Sequence, residues 1–175
     1  MLSEEEVYNG TKRILQKNGY ILIAGQPPRG VDHLPVVEIK SGINKNKGSK
    51  GAFKPDLIAY KDNILLIVEC KPLFDNNDLQ KLQEILTSDV RLLAFYNELS
   101  ERGLLNKINK NINFTDFKKI VFGSLAYSLN ETKNNIMLET SNLNNIVKYN
   151  NQIYQIIIKS WLGDGYIIEP QKKSF

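Results

Sequence analysis

PDLIAYKDNILLIVECKP, residues 55–72, decides how the chain is read. Two apolar runs, Leu57 to Tyr60 and Ile64 to Val68, flank Lys61-Asp62-Asn63. Short apolar runs bounded by turn residues read as strands, and Asp-Asn is a workable centre for a two-residue hairpin turn. A turn centred there makes Tyr60 face Leu65, Ile58 face Ile67 and Asp56 face Glu69. Side chains directly opposed on a hairpin lie about 5 Å apart at Cβ. Alternation along the strand puts Lys71 on the face of Glu69, out of the core, and turns Cys70 into it. One spot therefore receives two carboxylates and one ammonium. Facing carboxylates repel each other, and a bound divalent cation removes the conflict. Magnesium takes oxygen ligands, commonly one or two carboxylates together with phosphate oxygens. It can activate water and stabilise a leaving oxygen. A lysine beside it can orient the water and offset charge in the transition state.

Pro55-Asp56, followed by Glu69-Cys70-Lys71 thirteen residues after the aspartate, resembles the motif of the PD-(D/E)xK nuclease superfamily. Type II restriction endonucleases and Holliday-junction resolvases belong to it. The resemblance implies an α/β fold with a restriction-endonuclease-like core, a mixed sheet with a central antiparallel meander flanked by helices. It implies Asp56 and Glu69 as ligands of Mg²⁺, with Mn²⁺ as a substitute, and Lys71 as the catalytic lysine. Many members add a glutamate from the first helix, for which Glu4, Glu5 and Glu6 are candidates. The implied function is a magnesium-dependent endonuclease that hydrolyses phosphodiester bonds in DNA by in-line attack of water, as a restriction-type enzyme or a subunit of one. The alternatives are a Holliday-junction resolvase or DNA-repair nuclease, a non-cleaving nucleic-acid-binding subunit, and an RNA endonuclease. An ordinary hairpin with a surface Glu-Lys pair is the plain reading, but it leaves the opposed acids unexplained.

The rest of the chain supplies an order that agrees with such a core. Ser3 and Glu6 have capping-box spacing and open a helix, with Val7, Ile14 and Leu15 inward and Gly19 as its stop. Strands are expected at 20–25 and 35–40, a helix at 75–88, a second helix or a short strand leading into one at 90–105, and a strand at 119–128. Residues 144–162 read as a long helix stopped by Gly163-Asp164-Gly165. The expected organisation is one nuclease domain over 1–175, with its core at about 3–128 and a helical extension at about 129–175. Apolar residues of the last segment fill more than one helical stripe, which suits core packing first and a homodimer or partner-subunit interface second.

A chain of 175 residues with net charge +4 fits one domain and permits a phosphate-bearing partner, here DNA. Cys70 is the only cysteine, so disulfides within the chain and cysteine-based zinc sites are excluded. The acidic start MLSEEEVYNG does not read as a signal peptide, and no apolar run is long enough for a bilayer, so a cytoplasmic protein with no membrane contact is expected. The loop leading into Asp56 carries Lys40, Lys45, Lys47, Lys50 and Lys54 without an acid and with glycines at 42, 48 and 51. Lys45, Lys47, Lys50 and Lys54 are candidates for contacts to a nucleic-acid backbone. A second Glu-x-Lys, Glu38 to Lys40, has only Asp32 close upstream, too few residues away for a hairpin. Glu38 is a candidate to support the main site from a neighbouring strand, and Gln80 from the helix after it. His33 and Arg29, in a proline-rich loop, are weaker candidates as ligand and phosphate contact.

Overall fold

The computed structural model describes residues 1–41, 51–129 and 152–170. A helix, α1 (Glu4–Lys17), is followed by strands β1 (Ile21–Gly25), β2 (Leu57–Lys61) and β3 (Ile64–Lys71). Helices α2 (Asn76–Leu86), α3 (Asp89–Glu101) and α4 (Phe114–Ile120) then cross to β4 (Val121–Ser128), and β5 (Ile153–Ile158) and β6 (Gly165–Ile168) complete a six-stranded mixed sheet in chain order. The first three strands are an antiparallel meander, β4 and β5 join in parallel, and β6 returns antiparallel. The meander thus forms one half of the sheet, with β1 at the edge.

The hairpin has the register its sequence dictates: Tyr60 pairs with Leu65 and Ile58 with Ile67. Asp62 and Asn63 both take positive φ, 46° and 62°, the conformation of a type I′ turn that matches strand twist. The expected capping box is present, with Glu6 N–H donating to Ser3 Oγ and Ser3 N–H to Glu6. α1 covers one face of the sheet, packing Val7 and Leu15 near Leu66, Val68 and Cys70. α2, α3 and α4 cover the other face, where Leu79, Leu82, Phe95 and Phe117 share a core with Leu65 and Ile67. Both faces of β3 are therefore buried, which explains its unbroken apolar run.

Three expectations change. Residues 35–40 form no strand: only Ile39 bridges, to Phe53, while Gly25 N–H donates to the Pro35 carbonyl. Proline 35 has no N–H to give a ladder, and Ile21–Gly25 is the meander's first strand. Second, α4 precedes the fourth strand, opened by Asn113, whose side chain accepts from Asp116 N–H. Third, the helical extension is corrected. Residues 144–151 lie outside the described residues, but Ile153–Ile158 is a strand between β4 and β6, with all six residues buried. Isoleucines facing both ways fit a strand covered on two faces; an apolar run alone does not separate this from a buried helix. This part of the segment is core. No helix among the described residues is long and apolar enough to cross a membrane.

Gly165 tests the corrected C-terminal structure. It takes φ 152°, and a Cβ there would overlap the Ile157 carbonyl oxygen and come within 2.7 Å of Ile14 Cδ1. Gly165→Ala is expected to destabilise the chain by about 1–3 kcal/mol, read as a lower urea midpoint at unchanged slope. An unchanged midpoint would contradict the β5–β6 pairing.

Candidate active site

Asp56 directly precedes β2 and Glu69 lies near the end of β3, so the Leu57–Val68 pair carries the register on to these two acids. Asp56 is pinned from two sides. Its Oδ2 accepts from the Cys70 backbone N–H at 2.7 Å, and its carbonyl accepts from Gln26 N–H at 2.8 Å. Cys70 itself turns toward α1, fully buried, with its thiol donating to Thr11 Oγ1 at 3.7 Å.

Glu69 alternates with Leu65 and Ile67, and so points toward the layer of α2. It is only 6% exposed, which corrects the expectation that it faces out of the core. Its Oε1 is shut off from solvent and has no hydrogen-bond partner among the described residues. Burial, then the charges of Asp56 and Asp78, push its carboxyl up from 4.5 to about 9. Burial also raises Asp56, from 3.8 to about 6, although the Cys70 N–H and the charge of Lys71 pull it down. Two desolvated acids thus share one end of the hairpin, and both hold protons more firmly than surface carboxylates do.

Lys71 Nζ meets Glu4 Oε1 of α1 at 3.1 Å. Burial by itself would lower the lysine's pKa, but the hydrogen bond to Glu4 and the charges of Asp78, Glu4 and Asp56 outweigh it and raise it. Of the three first-helix glutamates, Glu4 reaches the site, Glu6 closes the capping box and Glu5 faces a separate cleft. The Lys71–Glu4 pair is about one-third exposed on each side. Such a pair contributes about 0–1 kcal/mol to stability, so its consequence is the position and charge of Lys71. Behind the lysine, β4 brings Tyr127 into register, and its hydroxyl bonds the Gln155 side chain.

Asp78, in the first turn of α2, escapes the sequence reading. It is 2% exposed; Oδ1 accepts from Lys81 at 3.2 Å, while Oδ2 is buried without a partner among the described residues. Its signal is helical phase. Asp78, Leu82 and Ile85 follow one another at four and three residues, so the acid lies on the stripe that α2 buries.

The remaining candidates divide. Lys45, Lys47 and Lys50 lie outside the described residues, and Lys54 is exposed two residues before Asp56. Glu38 is half-buried beside the Ile39 bridge, and no hydrogen bond or ion pair among the described residues joins it to Asp56, Glu69 or Lys71. Gln80 is exposed on α2. His33 and Arg29 line a cleft of about 220 Å³ with Glu5, Tyr8 and Lys12. There Asp32 accepts from Tyr8 at 2.8 Å and from Lys12 at 2.7 Å. Neither His33 nor Arg29 joins the paired acids.

Asp56 and Glu69 offer hard oxygen ligands, and Glu69 Oε1 is an orphaned buried acceptor, both suited to a divalent cation. Among the described residues no three His, Cys, Asp or Glu side chains form a ready-made metal cage. Mg²⁺ does not require one, because it usually keeps several waters beside one or two carboxylates. Comparison of the chain with family models, curated proteins and solved structures finds no match.

Proposed function

We propose that the chain is a metal-dependent endonuclease that hydrolyses phosphodiester bonds in DNA, built on a restriction-endonuclease-like core and acting as a restriction-type enzyme or a subunit of one. The observation that carries this reading is the pair of desolvated acids, Asp56 and Glu69, at the end of the β2–β3 hairpin, with Lys71 beside them. The order of helix, antiparallel meander, helices and parallel strand supports it.

Asp56 and Glu69 would hold Mg²⁺ or Mn²⁺, and the ion when bound supplies Lewis-acid polarisation of the phosphoryl group and a more acidic water. Glu69 must release its proton before it can act as a ligand, so occupancy is coupled to pH. Lys71, held by Glu4 and charged at neutral pH, donates hydrogen bonds to the attacking water and to the phosphoryl oxygens as charge grows on them. The same ammonium lowers the mutual repulsion of the acids in front of it.

The test is incubation with supercoiled plasmid, single-stranded DNA and RNA, in Mg²⁺, Mn²⁺ or EDTA. Nicking or linearisation of DNA in either metal, and none in EDTA, is the expected result. Cleavage that persists in EDTA, cleavage of RNA alone, or no cleavage of any substrate would contradict the proposal.

A further inference from the structure

We propose that Asp78 binds the divalent cation together with Glu69, so that the centre draws an acid from α2 as well as from the hairpin; this rests on the metal-dependent reading above. Neither the Asp-Glu-Lys pattern of the hairpin nor its spacing points to this residue.

The placement follows from the fold. Glu69 projects to the side of β3 that α2 covers, and Asp78 occupies the buried stripe of α2 one turn ahead of Leu82. Asp78's charge raises the pKa values of Glu69, Asp56 and Lys71, although Asp78, Glu69 and Asp56 do not form a ready-made cage among the described residues. Glu69 and Asp78 each have one oxygen, Glu69 Oε1 and Asp78 Oδ2, that is buried with no donor among the described residues. Buried polar atoms are nearly always partnered, so an orphaned acceptor on each of two acids in the layer between β3 and α2 calls for a positive charge. A divalent cation supplies it to both.

The local roles open to Asp78 leave that oxygen unexplained. Asp75, not Asp78, caps α2, accepting from Asn77 N–H at 2.7 Å. Lys81 engages only Oδ1, and its own side chain is 57% exposed. A surface acid in the first turn would satisfy both the helix dipole and such a lysine without desolvation. Burial of the second oxygen is what a surface role does not need.

The experiment is titration of the metal-free full chain with Mn²⁺, followed by calorimetry and by loss of the free-ion electron paramagnetic signal. Asp78→Asn, which keeps shape and removes charge, is expected to weaken Mn²⁺ binding about tenfold or more. Lys81→Ala, which frees the other Asp78 oxygen, is expected to bind Mn²⁺ as tightly as wild type or more tightly. Circular dichroism and the urea midpoint in EDTA check that each variant folds. Unchanged affinity in Asp78→Asn, weaker binding in folded Lys81→Ala, or no Mn²⁺ binding by wild type overturns the proposal. If Asp78→Asn binds Mn²⁺ as wild type does and DNA is still cut only with metal, the inference fails while the nuclease reading stands. Metal-independent cutting reverses that outcome for the reading.

Discussion

Lys71→Ala is expected to slow metal-dependent DNA cleavage by about a hundredfold to a thousandfold, the usual loss for one preorganised charge-stabilising donor. The lysine sits where its ammonium can do this work. It follows Glu69 by two residues on the same face of β3, and Glu4 of α1 fixes its Nζ from the side. Its positive charge also lowers the carboxyl pKa of Asp56 and of Glu69. Removing it leaves the acids more repulsive to one another and more attractive to a cation. Mn²⁺ binding should therefore be preserved or tightened while the rate collapses. That split separates a residue that acts in the reaction from one that builds the site. Cleavage and Mn²⁺ affinity falling together would assign Lys71 a structural part, and an unchanged rate would remove it from the chemistry.

Glu69→Gln is expected to stabilise the metal-free chain, increasingly so as pH rises. In the folded protein the Glu69 carboxyl titrates at about 9, against an ordinary value of 4.5. Below that ordinary value both folded and unfolded chains are protonated, and the group imposes no penalty. Between the two values the unfolded chain has lost the proton and the folded chain has kept it. Each pH unit then removes about 1.4 kcal/mol of folding stability, until the loss levels off above the folded value. Asp56, raised from 3.8 to about 6, adds a loss of the same sign over a narrower and lower range. Glutamine has no proton to lose, so the variant keeps what the wild type forfeits. Urea unfolding in EDTA at pH 5.5 and pH 8 reads the difference, on the order of a few kcal/mol at the higher pH. A stability gap that does not widen with pH would contradict the burial of an ionisable acid at this position. If Glu69 is a metal ligand as proposed, the same substitution is expected to cost metal-dependent cleavage, the usual opposition between a strained site and a stable fold.

The hairpin was readable because local chemistry decides it. Asp62 and Asn63 tolerate the positive φ that a type I′ turn demands, and the register of every opposed pair follows from that turn. Asp56, Glu69 and Lys71 were placed together by this register alone. The depth of Glu69 was not readable, because it depends on α2 lying over the end of β3. Glu4 could not be told from Glu5 and Glu6, since adjacent helix positions differ only in direction and packing chooses among them. Asp78 had a signal in its phase with Leu82 and Ile85, but a lone acid in a helix's first turn ordinarily reads as a dipole partner. The isoleucine-rich Ile153–Ile158 misled for the opposite reason: a strand buried on both faces has no alternation to betray it. Glu38 followed the misassigned strand at 35–40, and no hydrogen bond or ion pair among the described residues joins it to the paired acids or Lys71.

In the proposed function, the opposed acids of the hairpin hold a catalytic metal. The most direct measurement is plasmid cleavage in Mg²⁺ by wild type and by folded Asp56→Ala, prepared identically and matched in concentration. Loss of a ligand for an ion that supplies several kcal/mol of transition-state stabilisation predicts a fall of at least about a thousandfold, with no cutting by either protein in EDTA. Cleavage by Asp56→Ala at the wild-type rate would contradict the site.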